Sequence, residues 1–260
     1  MFDNNVVAYV SPLLRGAGVP HAFSTRLGGV SGGPFASLNL GNPAGSPQQD
    51  DPANIARNYR LLREAVGCPD RRLVFAHQVH GACVIDPADA AVTDTLYGGD
   101  ELGKADAITS ADAALLVSVR TADCVPVLLA AHDGRRVAAV HAGWRGVIAG
   151  VVTAALRQFE LPADVIAAVG PSIGFDAFEV GPEVADVFDA AFDPDSPTRR
   201  SSDGRAHIDL RLAIERQLRS VGVTRIDNTD RCTVAHADEF FSHRRDNGVT
   251  GRMAAVIGAR

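Results

Sequence analysis

Two residues able to bind a soft metal or act as nucleophile and base lie in RTADCVPVLLAAHDGRRVAAVHAGWRG, residues 120–146. Cys124 stands at the start of one apolar run and His141 at the end of the next, with Asp133-Gly134 between them. Asp-Gly favours a two-residue hairpin turn, in which both central residues need positive φ. That turn would set His132 against Arg135, Pro126 against His141 and Cys124 against Gly143. Opposed residues share a face and side chains alternate along a strand, so Cys124 and His141 become diagonal neighbours with Cβ atoms about 7–8 Å apart. A thiolate and an imidazole can meet a common partner across that gap. A third donor comes from QVHG, residues 78–81. Read as strand, it puts Gln78 and His80 on one face and His77 and Val79 on the other, which makes His80 the better candidate. Two histidines and one cysteine are a recognised ligand set for catalytic zinc, which keeps a fourth position open. The plainer alternative for each is a place in the core.

The neighbours of these residues suit an anion. HAGWRG (141–146) puts two glycines and Arg145 where a strand gives way to a helix, so backbone N–H groups can face a negative charge and the guanidinium offers a planar fork. Arg26, in STRLGG, stands at a strand end beside glycines that allow close backbone approach. A surface arginine or a tight turn is the bland account of either. Trp144 is a stacking face or a core residue.

The elements that must position these groups follow from periodicity. Strand-length apolar runs recur at 6–10, 21–25, 73–85, 113–119, 125–131, 136–142, 164–170 and 252–259. Helical spacing occurs over 52–66, 146–159 and 209–221, the last with Asp209 placed as N-cap. Strands meet in hairpins as often as across helices, so the class is α/β or α+β with a mixed or largely antiparallel sheet. The Gly/Pro/Ser-rich stretch 27–52 is read as a long functional loop rather than a mobile linker, and 193–205 as a plain solvent loop.

The 260 residues suit one domain, 1–260, since α/β domains commonly reach about 250 residues. The net charge is −6, without a basic block, so the chain is expected to bind neither nucleic acid nor an anionic membrane. No basic leader precedes an apolar run and no run nears the roughly 20 residues of a spanning helix; the expected location is cytoplasmic. The four cysteines lack C-x-x-C spacing, which fits reduced thiols.

The series STRLGGVSGGPFASLNLG, HQVHG, KADAITS, TADCVPVLL, VHAGWRG, GPSIGFDAFEVGPEV and CT…FFSHRRD…TGR resembles the YfiH-like, laccase-domain family, from about residue 20 to the C-terminus. The resemblance implies a four-layer α/β/β/α sandwich. It also implies one zinc ion, with copper the alternative, on the family's two-histidine, one-cysteine positions, here His80, Cys124 and His141. The implied activities are phosphorolysis of adenosine, inosine and methylthioadenosine to free base and a ribose 1-phosphate, and adenosine deamination. The partners are then purine nucleosides and inorganic phosphate, in a monomer or weak homo-oligomer. In that chemistry Arg26 and Arg145 are candidate phosphate or ribose holders, and Gln78 and Asn39 candidate nucleoside contacts. Relatives often carry Cys-Tyr where this chain has Ala177-Phe178, which puts a catalytic role for that segment in doubt. Asp123 is expected on the face away from Cys124, which leaves no identified acid. Two other readings remain: a Cys124 nucleophile activated by His141, as in bacterial toxin deamidases of similar fold, and a metal-binding module without catalysis. Copper oxidase chemistry is disfavoured, because a type 1 site often wants an axial Met and the chain has only Met1 and Met253.

Overall fold

Valine, leucine and alanine, with Pro126 and His141 the exceptions, make up the runs 125–131 and 137–142 and leave no continuous polar face, the pattern of a sheet covered on both sides. The structure is a computed structural model and describes residues 5–202 and 204–260. The chain begins with β1 (Ala8–Tyr9), α1 (Pro12–Gly16), β2 (His21–Ser24) and α2 (Pro52–Ala65). A run of strands follows: β3 (Arg72–His77), β4 (Val84–Ile85), β5 (Asp94–Leu96), β6 (Gly99–Lys104), β7 (Ala107–Ser110), β8 (Leu115–Thr121), β9 (Val125–Ala131) and β10 (Val137–Ala142). Next come α3 (Trp144–Ile148), α4 (Val151–Leu156), β11 (Val165–Val169), β12 (Glu179–Val180) and α5 (Pro182–Ala191). The chain closes with β13 (Thr198–Arg200), β14 (Ala206–Ile208), α6 (Leu210–Ser220), β15 (Arg225–Asn228) and β16 (Met253–Ile257).

Two mixed sheets carry the architecture, in the orders β1-β2-β16-β8-β3-β6-β5 and β15-β11-β9-β10-β7-β4, with a small third sheet β12-β14-β13. Alternation along the strands divides the second sheet's side chains. Leu128, Ala130, Val137, Ala139, Ile166 and Ala168 pack with Val74, Val117 and Val256 of the first sheet. Val127, Leu129, Ala138 and Val140 pack instead with Val152 of α4 and Ile214 and Leu218 of α6. On the first sheet, α2 lays Tyr59 over Phe75 with ring centroids 6.2 Å apart. The result is helix, sheet, sheet, helix: the four-layer α/β/β/α sandwich. Each large buried apolar side chain contributes about 1.5–3 kcal/mol through removal from water.

The β9–β10 hairpin has the expected register, His141 opposite Pro126, but not the expected turn. Ala131 N–H bonds Arg136 O across residues 132–135, and Gly134, but not Asp133, has positive φ. A four-residue loop keeps the same parity as a two-residue one, so the pairing survives. The run 73–85 is not one strand: β3 ends at His77 and QVHG forms a turn. The helix expected over 146–159 is two helices, because Gly150 adopts φ +76 between them. The helices at 52–66 and 209–221 form with Asp51 and Asp209 as N-caps accepting from Ala53 and Leu212 N–H. Part of 193–205 is strand β13, not plain loop; Asp203 lies outside the described residues. The polar strands β5, at the sheet's edge, and β6, next to it, have no clear apolar alternation.

The stretch 27–52 is tied down from inside. Buried Asn58 on α2 accepts from Val30 N–H (2.9 Å) and donates to Ser31 Oγ (2.9 Å) and Asn39 O (2.8 Å). At the other edge, buried His21 donates from Nδ1 to Val19 O (2.8 Å) and accepts at Nε2 from Ser11 N–H (2.8 Å), the pattern of a neutral ring. Burial lowers its pKa, more than the bond to Val19 O raises it. Below about pH 6.5 the unfolded chain therefore takes up a proton that the folded ring resists, and stability falls with pH at up to about 1.4 kcal/mol per unit. Replacing His21 by Gln is expected to flatten the decline between pH 7 and 5, read from denaturant midpoints of the two proteins; parallel declines would refute the assignment.

Candidate metal and substrate site

One ligand atom from each of His80, Cys124 and His141 lies within 4.8 Å of the others. His141 is near the end of β10, Cys124 precedes β9, and His80 sits in the turn after β3. His80 arrives by a route other than strand alternation. It adopts φ +61, a left-handed conformation that few side chains favour, and the turn is held by the carboxylate of Asp106. Asp106 Oδ1 accepts from His80 N–H (2.9 Å) and Oδ2 from Gly81 N–H (2.7 Å) and Val79 N–H (3.2 Å). The same Oδ1 accepts from His141 Nδ1 (2.8 Å). With Nδ1 so engaged, His141 presents Nε2 to the site, as in the carboxylate–histidine pairs that orient metal ligands. Asp106 is fully buried. Burial alone would raise its carboxyl, but the bonds from His141 and the turn outweigh it and hold it below its usual range.

Gly143 leaves room for the donors. A Cβ there would lie 2.9 Å from His80 Cδ2 and 3.1 Å from Cys124 Sγ. Burial raises the Cys124 thiol, but the His141 charge and hydrogen bonds from His141 and His80 reverse this and bring it to about 6. Burial lowers His141, and the Cys124 charge with the Asp106 bond carries it up to about 9. The pair thus shifts the sulfur toward the thiolate. Two imidazoles and a thiolate match the soft-to-borderline donors that zinc accepts, so the residues fit the ion. Among the described residues this is the single group of three or more potential ligands found at metal-binding separation.

The trio opens on a cavity of about 550 Å³, within the range of small-molecule sites. Trp144 and Phe178 supply aromatic wall; Arg120, Arg252 and Arg244 supply positive charge; Glu101 and Asp123 supply carboxylates. Asp123 does not alternate away from the site. It precedes the strand, adopts φ +93, and lines the cavity. Its carboxylate is consumed by Thr233 Oγ1 (2.6 Å) and Arg244 N–H (2.7 Å), while its carbonyl accepts from Ile173 N–H (2.8 Å). Strained backbone of this kind persists where the surroundings hold it, and here three segments do.

The other residues singled out by sequence divide. Gln78 lines the cavity, but both ends of its amide grip the backbone of Arg120, at 2.7 and 2.8 Å. Asn39 is buried behind the wall, where Oδ1 accepts from Arg252 N–H (2.9 Å) and Gly41 N–H (3.2 Å). Arg26 lies away from the cavity lining; it donates to Ala36 O (2.8 Å) and Ala237 O (3.0 Å) over the Phe241 ring. Arg145 is exposed and stacks on Trp144 at 4.4 Å. His77, expected to point away, lies at the rim near Glu101 (3.7 Å). Met253 keeps its sulfur on Phe241 N–H (3.1 Å), outside this cavity, and Met1 lies outside the described residues. Asp106, Arg120 and Arg252 received no role from sequence, although each falls in a quoted motif: KADAITS, RTADC and TGR.

Comparison with known proteins finds relatives over most of the chain. Residues 20–260 match the family described as multi-copper polyphenol oxidoreductase laccase. The chain is 37% identical to "Purine nucleoside phosphorylase YlmD" of Geobacillus stearothermophilus over 257 residues, covering 94% of this chain and 91% of that one. It is 39% identical to "Purine nucleoside phosphorylase YfiH" of Escherichia coli, covering 92% and 93%. The crystal structure of the Geobacillus protein superposes with a TM-score of 0.88 over 100% of this chain and 98% of that one, at 34% identity.

Asp106→Asn is expected to weaken zinc binding about 10- to 100-fold, the usual cost of losing an outer partner of a ligating histidine. Gly143→Ala should do so as well, by crowding His80 and the sulfur. Competition with a chromogenic chelator checks both, and unchanged affinity in the pair would count against the trio as a metal site.

Proposed function

The chain belongs to the YfiH-like laccase-domain family, and we propose that it is a zinc-dependent purine nucleoside phosphorylase. It takes adenosine, inosine or methylthioadenosine with inorganic phosphate to free base and a ribose 1-phosphate, as a single catalytic domain in the cytoplasm. The observation that carries the reading is the convergence of His80, Cys124 and His141 on the wall of a nucleoside-sized cavity, in a chain whose curated relatives are named for this activity. Among the described residues no helix is long and apolar enough to cross a membrane.

When bound, zinc supplies a Lewis acid at that wall. The protein's own groups do the rest: Asp106 fixes the His141 ring and the His80 turn, Trp144 and Phe178 give the purine apolar surface, and the arginines draw in anions. Adenosine deamination belongs to the same cavity. Asp123 is spent on Thr233 and Arg244, whereas Glu101 has only long contacts to Arg120 (3.6 Å) and His77 (3.7 Å), so Glu101 is the carboxylate free to carry protons. The engagement of the Met253 sulfur elsewhere supports zinc over a type 1 copper centre.

A second reading rests on the line Asp106–His141–Cys124, which has the parts of a thiolate nucleophile with an oriented base. Chelation separates the two. Incubated with inosine and phosphate, the purified protein is expected to release hypoxanthine and to stop when zinc is removed. His80→Ala, Cys124→Ala and His141→Ala should each lower metal content and lose more than the about 10- to 100-fold typical of outer-partner changes. Activity that survives full chelation but is abolished by thiol alkylation would favour the nucleophile; full metal and turnover in all three variants would refute the site.

A further inference from the structure

The cavity wall holds positive charge that the protein pairs only loosely. Arg252 is largely buried; its Nη1 donates to Thr250 O (3.1 Å) and Gly251 O (3.0 Å). Among the described residues its Nε and Nη2 meet no acceptor and no carboxylate comes within 4.0 Å. Arg120 lies beside it: a Cβ on Gly41 would touch Arg120 Cδ at 2.8 Å and Arg252 Cγ at 3.5 Å. Arg120 has one long ion pair, to Glu101 at 3.6 Å, and rests on the Phe75 ring at 4.8 Å. Two guanidinium groups packed together repel, and keeping one from water without a counter-charge is costly. Both are nevertheless pinned through their backbones, Arg120 by Gln78 and Arg252 by Asn39.

We propose that Arg252, with Arg120 beside it, forms the phosphate subsite of this cavity. The inference rests on the phosphorolytic reading above. A planar fork with Nε and Nη2 both open is the arrangement that takes two oxygens of one phosphate, and the neighbouring arginine adds the second charge of a dianion. In the reaction an oxygen of HPO₄²⁻ bonds to C1′ as the C1′–N9 bond breaks. The bonding pair leaves on the purine, and the phosphate's proton ends there, giving neutral base and ribose 1-phosphate. Gly41, Gln78 and Asn39 are then positioning residues for the arginines, not contacts of the nucleoside. Burial lowers the proton affinity of Arg252 more than the Cys124 and Asp123 charges raise it, which agrees with a group waiting for an anion.

Steady-state kinetics at varied phosphate and saturating inosine test the assignment. Arg252→Gln and Arg120→Gln are expected to raise KM for phosphate about 10- to 100-fold, the loss of a charge-assisted contact, with KM for inosine within about 2-fold and zinc content unchanged. Arg135→Gln, the same charge change on a side chain 85% exposed in the hairpin loop, should leave both constants alone. If Arg252→Gln does not fold, Arg252→Lys keeps the charge and loses the fork, and should still raise KM for phosphate. Phosphate constants unchanged in the Arg252 and Arg120 variants, with a phosphate-dependent wild type, overturn the subsite alone. Base release by the wild type that ignores phosphate overturns the phosphorolytic reading and the subsite with it.

Discussion

The Asp106 carboxylate is the constraint on which the site depends. It sits with no exposure to water between the two sheets' ends and accepts four hydrogen bonds, three from the amides of residues 79–81 and one from His141. An ionised carboxylate in such a place is stable only when its acceptor capacity is filled. Filling it requires the QVHG turn to fold toward β10, and that requirement sets His80 against His141, with rings 4.8 Å apart and nearly perpendicular. Two elements from different sheets are joined at the one point where their donors must meet a sulfur.

The sheet scaffold was readable because its determinants are local. The runs at 125–131 and 137–142 stand out by an apolar character that only His141 breaks, and the cap Asp209 marks its helix by side-chain chemistry. The convergence of the trio is only partly legible in the sequence. Cys124 and His141 follow from hairpin parity, which a four-residue loop happens to share with the expected two-residue loop. His80 does not follow from strand alternation, since its conformation is imposed by a carboxylate 26 residues further along the chain. No periodicity reports such a contact.

The arginines teach the converse lesson. Arg26 and Arg145 stand in glycine-rich motifs that look made for anions, yet Arg26 uses its guanidinium to clasp two loops and Arg145 covers a tryptophan from outside. Arg120 lies one residue before the end of β8 and Arg252 directly precedes β16, positions that look like ordinary boundaries in the chain, and only the pairing of β16 with β8 brings them together. Likewise the amides of Gln78 and Asn39 have the chemistry to hold a nucleoside, but their hydrogen bonds go to backbone. Residue type indicates what a group can do; the neighbours decide whether that capacity is already used.

Among the described residues β16 follows every other strand in sequence, yet it lies inside its sheet, between β2 and β8. During synthesis the two flanking strands therefore wait, each with an unsatisfied edge, until residues 253–257 have left the ribosome. A product cut short before that point keeps a slot open to strands of other molecules, which is how aggregation begins. The strand that follows Arg252 closes the middle of the sheet, so the pairing of β16 with β8 both completes the sheet and sets Arg252 beside Arg120.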